Sequence, residues 1–567
     1  MSQQLIQNIT PRLQRIFNQA RYLIGKYPVL VTAVYLAVVG NTTFWGKFGE
    51  VLGGNPLQKI GFSISFFILI VMLTVLLLQI FRFKYLTKPV LIFVLIASAF
   101  ASYFMNNYGI MIDTSMVHNV LETDADETGD LLNTGMFLHV LLFGVLPAIV
   151  LYKTEIIYSS PVKQLARNGV IMALAMVAIA GNTLLFSSDY ASFFRNHHHL
   201  RYLVNPVNYI YSFGKVTALA LQDHNTKPIP IGLDAHQVKT VSTTRKNSLI
   251  VVVVGETARA MNFSLNGYQR DTNPELEKED IINYPNVYSC GTSTHVSLPC
   301  MFSKFGRGDF DEDMAKRYEK LPDVLQHAGI EVLWRDNNSG CKGVCKNIPT
   351  EDTSHLKLKD LCTDSECYDE VMLVNLRQQI ENKHQDTVVI LHQKGSHGPA
   401  YYLRHPKDFQ VFTPECTSKE LTDCQPQEII NAYDNTIRYT DHFLAKVIAL
   451  LKTESTRFDT AMLYVSDHGE SLGEHSVYLH SLPYMIAPEE QKHVPFVAWF
   501  SDDFLKDNQL NKSCLEEKAV NHYSHDNLFH TLLGLTHVAT SIYKPEQDMF
   551  SNCKIQLTKR PHSSTAS

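Results

Sequence analysis

Two short polar motifs in this chain have residue types that could bind a metal ion. Gly255 and Glu256 come directly after the apolar run 249–254, and Ser466, Asp467 and His468 come directly after the run 460–465. Runs of this kind predict buried parallel strands, whose carboxyl ends meet at one edge of an open sheet. Two carboxylates and an imidazole at that edge would suit zinc or a hard divalent cation, with a position left for a reacting group. The alternative is that the Asp-His pair only caps a helix.

More polar residues follow other predicted strands. Apolar runs at 329–333, 387–391 and 494–500 predict further strands, and the first is followed by the polar stretch 335–338. His397 follows the second run within a few residues. Because these groups again lie just past strand ends, we expect them at the same edge of the sheet as the metal-binding motifs.

The part of the chain before these motifs has a sequence that predicts a membrane domain. Almost all long apolar runs fall in the first 190 residues, and five are long enough to cross a bilayer. They lie at residues 27–45, 60–81, 89–105, 136–152 and 169–186. Buried helices of a soluble protein are the weaker alternative, because segment 60–81 carries no charge.

Loop charges predict the orientation of these spans. The connection between the third and fourth spans, residues 106–135, has no Lys or Arg. Basic residues instead precede the first span and lie between the second and third spans and between the fourth and fifth: Arg12, Arg15, Arg21, Lys26, Arg82, Lys84, Lys88, Lys153, Lys163 and Arg167. Since cytoplasmic loops carry the excess of positive charge, the N-terminus is expected in the cytoplasm and the C-terminal domain outside.

We predict three regions. Residues 1–187 form a five-helix membrane domain, 188–245 an interfacial helix and linker, and 246–567 a catalytic domain of strands and helices. The interfacial helix is suggested by its Tyr and Arg content. A formal charge of -6 without a basic stripe gives no support for nucleic-acid binding.

The cysteines test the predicted orientation independently. All ten lie between Cys290 and Cys553, most as close neighbours in the sequence. Such pairs indicate disulfides in an oxidising compartment or a metal site in a reducing one, and the two-residue gaps of zinc ribbons are missing. Disulfides agree with the charge pattern, and the expected pairs are Cys290 with Cys300, Cys341 with Cys345, Cys362 with Cys367, Cys416 with Cys424, and, by elimination, Cys514 with Cys553.

Several motifs together resemble a known family. They lie at residues 254–257, 289–303, 334–338, 397–401 and 466–474. In spelling and order they are similar to those of the lipid A phosphoethanolamine transferases, which include the mobile colistin-resistance enzymes. The resemblance covers nearly the whole chain, including the five spans and the cysteine-rich outer domain. It implies a catalytic domain with the α/β fold of the alkaline phosphatase and sulfatase superfamily.

The resemblance also assigns roles to residues. Thr294, the fourth residue after Cys290, corresponds to the nucleophile. Glu256, Asp467 and His468 would bind one catalytic zinc, with the threonine as the remaining ligand. Coordination to a divalent cation makes a hydroxyl a competent nucleophile near neutral pH. If the threonine opens a helix, the N–H groups there also favour an incoming phosphate.

Two further groups of residues correspond to family positions. Lys342, His397 and His480 would lie near the phosphate oxygens, where they could neutralise charge, protonate a leaving oxygen or hold a second zinc. Asn119, Thr123 and Glu127 would line the place for the ethanolamine headgroup, and their spacing of four puts them on one helix face. An exposed amphipathic helix is the alternative for that stretch. No role is assigned to His295.

The implied activity is transfer of phosphoethanolamine from phosphatidylethanolamine to a lipid A phosphate, which gives polymyxin resistance. The implied location is the bacterial inner membrane, with a monomeric enzyme whose catalytic domain lies in the periplasm. The acceptor could instead be a core sugar, and a phosphoglycerol transferase or phosphodiesterase is a related alternative. A sulfatase would need a Cys or Ser in a Cys-x-Pro-x-Arg setting, which Cys290 lacks. A non-catalytic membrane sensor is disfavoured because every ligand position holds a competent side chain.

Overall fold

The structure is a computed structural model that describes residues 18–53, 56–122, 125–223, 228–238, 246–311, 317–363 and 366–555. Within these ranges the chain divides into two compact units. The first, the membrane unit, contains residues up to 117 and residues 132–218. The second, the catalytic unit, contains residues 118–131 and everything from 219 onward.

The membrane unit is helical. Its helices are α1 (Asn18–Lys26), α2 (Pro28–Val39), α3 (Thr42–Val51), α4 (Pro56–Gln79), α5 (Thr87–Tyr108), α8 (Thr134–Lys153), α9 (Pro161–Leu185), α10 (Ser187–His197) and α11 (Val207–Asp223). Two more helices follow α5. Helix α6 (Thr114–Glu122) begins in the membrane unit and ends in the catalytic unit, and α7 (Ala125–Leu131) belongs to the catalytic unit.

Among the described residues, four helices are long and apolar enough to cross a membrane: α4, α5, α8 and α9. A fifth crossing exists if α1 and α2, which meet at 109°, count as one span. The predicted first span at 27–45 is therefore not one continuous helix. It breaks between α2 and α3 at Asn41, whose buried amide donates to the carbonyls of Leu36 and Asn205.

The predicted interfacial region begins within the membrane unit. Tyr190 and Phe193 of α10 are buried, and their rings lie 5.0 and 5.2 Å from those of Phe62 and Phe66 on α4, respectively. Aromatic packing of this kind stabilises the contact between helices. The first part of the region predicted as interfacial helix and linker thus packs with the spanning helices, and residues from 219 onward belong to the catalytic unit.

The catalytic unit is built on an eight-stranded sheet. In spatial order its strands are β11 (Tyr523–Ser524), β3 (Ile281–Tyr288), β10 (His493–Phe500), β7 (Phe458–Ser466), β2 (Asn247–Gly255), β6 (Thr387–His392), β4 (Glu331–Asp336) and β5 (Thr350–Asp352). Among these described strands only β10 is antiparallel to its neighbours. Short strands elsewhere are β1 (His236–Gln237), β8 (Ser471–Leu472), β9 (Tyr478–Leu479) and β12 (Val538–Ala539).

Helices cover both faces of this sheet. They include α12 (Thr294–Met301), α13 (Leu321–His327), α14 (Leu376–Glu381), α15 (Pro426–Glu454), α16 (Asp502–Asp507), α17 (Lys512–Lys518) and α18 (Asp526–Leu535). On one face, Val252 of β2 shares a core with Leu298 of α12 and Phe529 of α18. Helix α15 contacts β7 outside that core cluster. The apolar strands buried on both faces explain why their sequences are continuous hydrophobic runs.

All five expected cysteine pairs are disulfide-bonded in the structure. No free cysteine remains among the described residues. The bond between Cys514 and Cys553 joins α17 to the end of the described chain across 39 residues, and the bond between Cys362 and Cys367 closes a loop of only 5.

Loss of the long-range disulfide should destabilise the catalytic unit more than loss of the short-range one. Loop-closure entropy gives about 4 kcal/mol for the Cys514–Cys553 bond and about 2 kcal/mol for the Cys362–Cys367 bond. Thermal unfolding of the full chain should therefore show a larger midpoint shift for the C514A/C553A variant than for C362A/C367A. Equal shifts would contradict the chain-entropy explanation.

Candidate active site

The strand register brings the predicted site residues to one edge of the sheet. Gly255 of β2 pairs with Ser466 of β7, and Val254 pairs with His392 of β6. Glu256 and Asp467, the next residues along two of these strands, therefore leave the sheet side by side. The carboxyl edge of a parallel sheet is the usual place for a ligand, and here it is formed by the strands that the sequence predicted.

Glu256, Asp467 and His468 form a compact group. Their potential ligand atoms all lie within 4.8 Å of one another, and all three side chains are buried. His468 Nε2 is 3.3 Å from Glu256 Oε1 and 3.3 Å from Asp467 Oδ2. Gly395 permits the close approach of a neighbouring loop, because a Cβ there would lie 2.7 Å from the Glu256 carbonyl oxygen.

The hydrogen bonds of this group suit a bound cation. His468 Nδ1 lies 2.9 Å from the Gly469 carbonyl oxygen, which can only accept, so Nδ1 carries the proton and the Nε2 lone pair points at the two carboxylates. Asp467 Oδ1 accepts from two backbone N–H groups, while its buried Oδ2 has no hydrogen-bond partner in the described structure. An orphaned carboxylate oxygen facing an imidazole lone pair fits a divalent metal between them.

Electrostatics lead to the same conclusion. Burial raises the pKa of Asp467 and the charge of Glu256 raises it further. Burial also opposes ionisation of Glu256, but when His468 takes a second proton at Nε2 its hydrogen bond and charge outweigh burial and keep the pKa of Glu256 below its ordinary value. Burial lowers and the two carboxylates raise the pKa of His468, with a net upward shift. Two buried carboxylates at one place are stable only with compensating positive charge.

Thr294 lies beside the three ligand candidates. It is the first residue of α12, and its Oγ1 lies 3.0 Å from Glu256 Oε2 and 3.4 Å from His468 Nε2. The hydroxyl therefore sits at a helix N-terminus, where N–H groups and the helix dipole favour an anion. Unlike the three ligand candidates, this residue is only partly buried, so a substrate can reach it.

Two contacts fix the loop that carries Thr294. The Cys290–Cys300 disulfide ties the loop to the last turn of α12. Buried His525 accepts a hydrogen bond from the Cys290 N–H at 3.1 Å and donates one to the Ser466 carbonyl at 2.9 Å. Burial lowers the pKa of His525 to about 4, so the ring stays neutral and bridges the loop before Thr294 to the end of β7.

Asn338 is a site residue to which the sequence assigned no role. Its amide donates to Glu256 Oε2 at 2.7 Å and to the Gln393 carbonyl at 2.8 Å. Next to it, Asp336 accepts hydrogen bonds from Trp334 Nε1 and His392 Nδ1. The polar stretch at the end of β4 thus orients the Glu256 carboxylate through the Asn338 amide. The position of Asn338 just past a predicted strand is the feature of the sequence that could have indicated this role.

His480 and His397 line the other side of the ligand group. The rings of His468 and His480 lie 4.5 Å apart, and those of His397 and His480 lie 5.4 Å apart. Buried Glu470 accepts from His480 Nδ1 at 2.8 Å and from the Tyr401 hydroxyl at 2.7 Å. Burial lowers the pKa of His480 despite the charge of Glu470. Glu470 belongs to the motif at 466–474, but nothing in the sequence indicated that it would accept a hydrogen bond from His480.

Lys342 lies in the loop next to the site residue Asn338. The loop follows Asn338 and is closed by the Cys341–Cys345 disulfide. The ammonium of Lys342 donates to the backbone carbonyl and the hydroxyl of Ser339 at 3.0 and 3.1 Å. These contacts hold the ammonium close to its own loop, and a role of Lys342 near the phosphate oxygens stays a prediction.

The segment 118–131 belongs to the catalytic unit. Asn119 of α6 donates to Ser481 Oγ at 2.9 Å, one residue from His480. The ring of His118 stacks on that of His295 at 4.5 Å and 12°, which places α6 against the residue that follows Thr294. Thr123 and the side chain of Glu127, both predicted to bind the headgroup, lie outside the described residues.

The comparisons with known proteins agree with this geometry. Residues 248–538 match the family model described as sulfatase, and residues 70–221 match the model described as phosphoethanolamine transferase EptA/EptB. Phosphoethanolamine transferase EptA of Escherichia coli K12 is 39% identical over 534 residues, covering 93% of this chain and 96% of that protein. Phosphatidylethanolamine transferase Mcr-1 of Escherichia coli is 40% identical over 530 residues, covering 91% and 95%.

A solved structure covers both units. The integral membrane lipooligosaccharide phosphoethanolamine transferase A of Neisseria meningitidis has a TM-score of 0.89 and 36% identity, covering 94% of this chain and 99% of that one. The sulfatase-type α/β domain behind a set of membrane helices, predicted from the sequence, is thereby confirmed. The chain belongs to the EptA family of phosphoethanolamine transferases.

Proposed function

We propose that this chain transfers phosphoethanolamine from phosphatidylethanolamine to a phosphate of lipid A through a covalent intermediate on Thr294. The observation that carries the proposal is the position of the threonine hydroxyl, at the start of α12 and 3.0 Å from the Glu256 carboxylate. The relatives named above support the transferred group. Lipid A as acceptor is supported by the motifs and by the lipooligosaccharide named for the Neisseria protein.

In the first step, Thr294 Oγ1 attacks the phosphorus of phosphatidylethanolamine. The bond from phosphorus to the diacylglycerol oxygen breaks, and the phosphoethanolamine remains on the threonine as a phosphodiester. Glu256, which lies within hydrogen-bond distance of the hydroxyl, orients it for attack. The N-terminus of α12 then faces the phosphate oxygens and favours their negative charge.

The proton released by Thr294 is transferred to diacylglycerol. Glu470 holds Nδ1 of His480, which leaves Nε2 as the atom that takes up a proton and returns it to the leaving oxygen. His397 lies beside the same ring, and Lys342 contributes positive charge to the phosphate oxygens. Positioned acid–base groups of this kind contribute about 100- to 10,000-fold to a rate.

In the second step, an oxygen of the lipid A phosphate attacks the phosphorus of the threonine-bound group. The bond between phosphorus and Thr294 Oγ1 breaks, and the threonine recovers its proton from the acceptor phosphate. The product is a lipid A diphosphate that carries ethanolamine. Because the threonine is regenerated, one chain completes many cycles.

The metal of this site is proposed to be zinc. Two carboxylates and one imidazole match a catalytic zinc site with a position left for Thr294, and the orphaned Asp467 oxygen supports occupancy by a cation. When bound, a divalent cation lowers the pKa of the threonine hydroxyl and offsets the buried carboxylates. If His480 Nε2 serves as a ligand instead of a proton carrier, His480 and His397 would hold a second zinc.

The proposed function also includes a location, a headgroup site and an effect on polymyxin binding. The helices of the membrane unit and the family support a location in the inner membrane, with a periplasmic catalytic domain. We propose a cytoplasmic N-terminus, a monomeric enzyme, and an ethanolamine site formed by Asn119, Thr123 and Glu127. Transfer adds an ammonium group to lipid A and reduces its negative charge, so cationic polymyxins bind less strongly.

Thr294→Ala should lower transfer about a thousandfold or more, because the residue that forms the covalent intermediate is lost. Mass spectrometry of the wild-type chain incubated with phosphatidylethanolamine should find the phosphoethanolamine adduct on the Thr294 peptide. As the matched control, Thr292→Val removes a hydroxyl that donates to the Leu482 carbonyl and should leave the adduct in place. Substantial transfer by the alanine variant would remove Thr294 from this role.

Glu256→Gln should lower both bound zinc and transfer, since it removes one charged ligand. Elemental analysis of purified protein gives the zinc content, and chelation followed by zinc addition gives the activity. Glu474→Gln is the control, because Glu474 pairs with Arg259 at 2.7 Å outside the ligand group and should leave the zinc content unchanged. Full activity of rigorously metal-free protein would exclude the proposed mechanism.

Expression in a susceptible Gram-negative host should add phosphoethanolamine to lipid A and raise polymyxin tolerance, because the surface charge falls. Mass spectrometry of lipid A and growth in polymyxin measure the two effects, and the Thr294→Ala chain should produce neither. Phosphoethanolamine on the core oligosaccharide with unmodified lipid A would show that the acceptor is wrong and the transfer chemistry right.

A further inference from the structure

A buried guanidinium connects the segment 118–131 to the active-site loops. Arg404 contacts Asp130 of that segment and Glu366 of the loop closed by the Cys362–Cys367 disulfide. Its Nε also donates to the carbonyl of His397 at 2.8 Å. The Arg404 side chain is only 1% exposed, so its charge depends on these partners rather than on water.

The charges around Arg404 balance. Lys419 lies 2.9 Å from the second oxygen of Asp130 and donates to the Gly129 carbonyl at 3.1 Å. Two cations therefore face the two carboxylates of Asp130 and Glu366. Burial opposes ionisation of Asp130, but the Arg404 charge and the hydrogen bonds to both cations outweigh it, and the pKa of Asp130 is lowered. Removal of one carboxylate would leave buried positive charge in excess.

The other end of the same segment is held by different contacts. His118 stacks on His295, next to Thr294, and Asn119 donates to Ser481, next to His480. Asp130 is the anchor at the far end. Each anchor thus reaches an element that carries one of the proposed site residues Thr294, His480 and His397.

We propose that Arg404 and Asp130 are positioning residues, which hold α7 against the loop of His397 so that α6, with its own contacts to His295 and Ser481, presents Asn119 to the active site. The inference rests on the proposed function, because it assigns these residues to binding of the phosphatidylethanolamine headgroup. Arg404 and Asp130 touch neither the three metal-ligand candidates nor Thr294 in the contacts described above. Their loss should therefore weaken donor binding while the chemistry at Thr294 continues.

The test is donor-dependence kinetics of the purified full-length chain in micelles that contain labelled phosphatidylethanolamine. Asp130→Asn should raise the KM for the donor about tenfold while kcat changes less than about twofold, since uniform binding is lost and the reacting groups are kept. Asp130→Glu, which keeps the charge, should restore most of the wild-type KM. Arg404→Lys keeps the charge but loses the hydrogen bond from Nε to the His397 carbonyl, and should also raise the KM for the donor.

A matched control removes a different buried carboxylate–arginine contact. Glu454 is 2% exposed, pairs with Arg377 and Arg457, and lies at the end of α15 just before β7, at the opposite edge of the sheet. Glu454→Gln should keep the wild-type KM even where it lowers stability. Hydrogen exchange gives a second measurement: Asp130→Asn should increase exchange in α6, and Glu454→Gln should not.

The outcomes separate the two proposals. An unchanged KM together with unchanged exchange in α6 would overturn the positioning role, and so would a parallel loss of kcat and bound zinc, which would indicate a general structural role. If the wild-type chain releases no diacylglycerol from phosphatidylethanolamine, the proposed function fails. The exchange experiment still tests in that case whether Asp130 anchors the segment.

Discussion

The active site depends on two carboxylates buried against a single imidazole. Glu256 and Asp467 leave adjacent strands at paired positions, since Gly255 pairs with Ser466, and the apolar strands behind them exclude water. Buried like charges repel strongly in a low dielectric. The arrangement is stable only if positive charge compensates them, so a site suited to a cation is a consequence of the sheet register.

Placement of the proposed nucleophile is a separate problem, because Thr294 is the first residue of α12 and does not follow either of the strands that carry the ligand candidates. A disulfide, a helix start and a buried histidine act on it together. The Cys290–Cys300 bond limits the loop, while His525 bridges the Cys290 amide and the Ser466 carbonyl. The hydroxyl is thus positioned relative to the ligand strand through backbone groups, which are less mobile than side chains.

Much of this arrangement could be predicted from the sequence, because apolar strands followed by polar residues have a strong pattern. The runs at 249–254 and 460–465 correspond to β2 and β7, and the edge they form contains the expected groups. Long-range pairing leaves no such pattern. Nothing in the spelling of the chain indicates that Asp130, between two predicted spans, contacts Arg404. The break at Asn41 was missed because one buried amide in an apolar run barely changes the hydropathy.

The histidines show why residue type alone does not assign a role. His468 donates from Nδ1 to the Gly469 carbonyl and so offers Nε2 as a ligand. His480 has a carboxylate, Glu470, as the partner of its Nδ1, and a carboxylate supports an imidazole that gains and loses a proton. Both ring nitrogens of His525 are hydrogen-bonded to backbone groups, the Cys290 N–H and the Ser466 carbonyl. Neither nitrogen is then left to bind a metal or transfer a proton. All three rings lie at the same edge of the sheet, and the partner of the second nitrogen supports a different proposed role for each: metal ligand for His468, proton carrier for His480 and a link between two loops for His525.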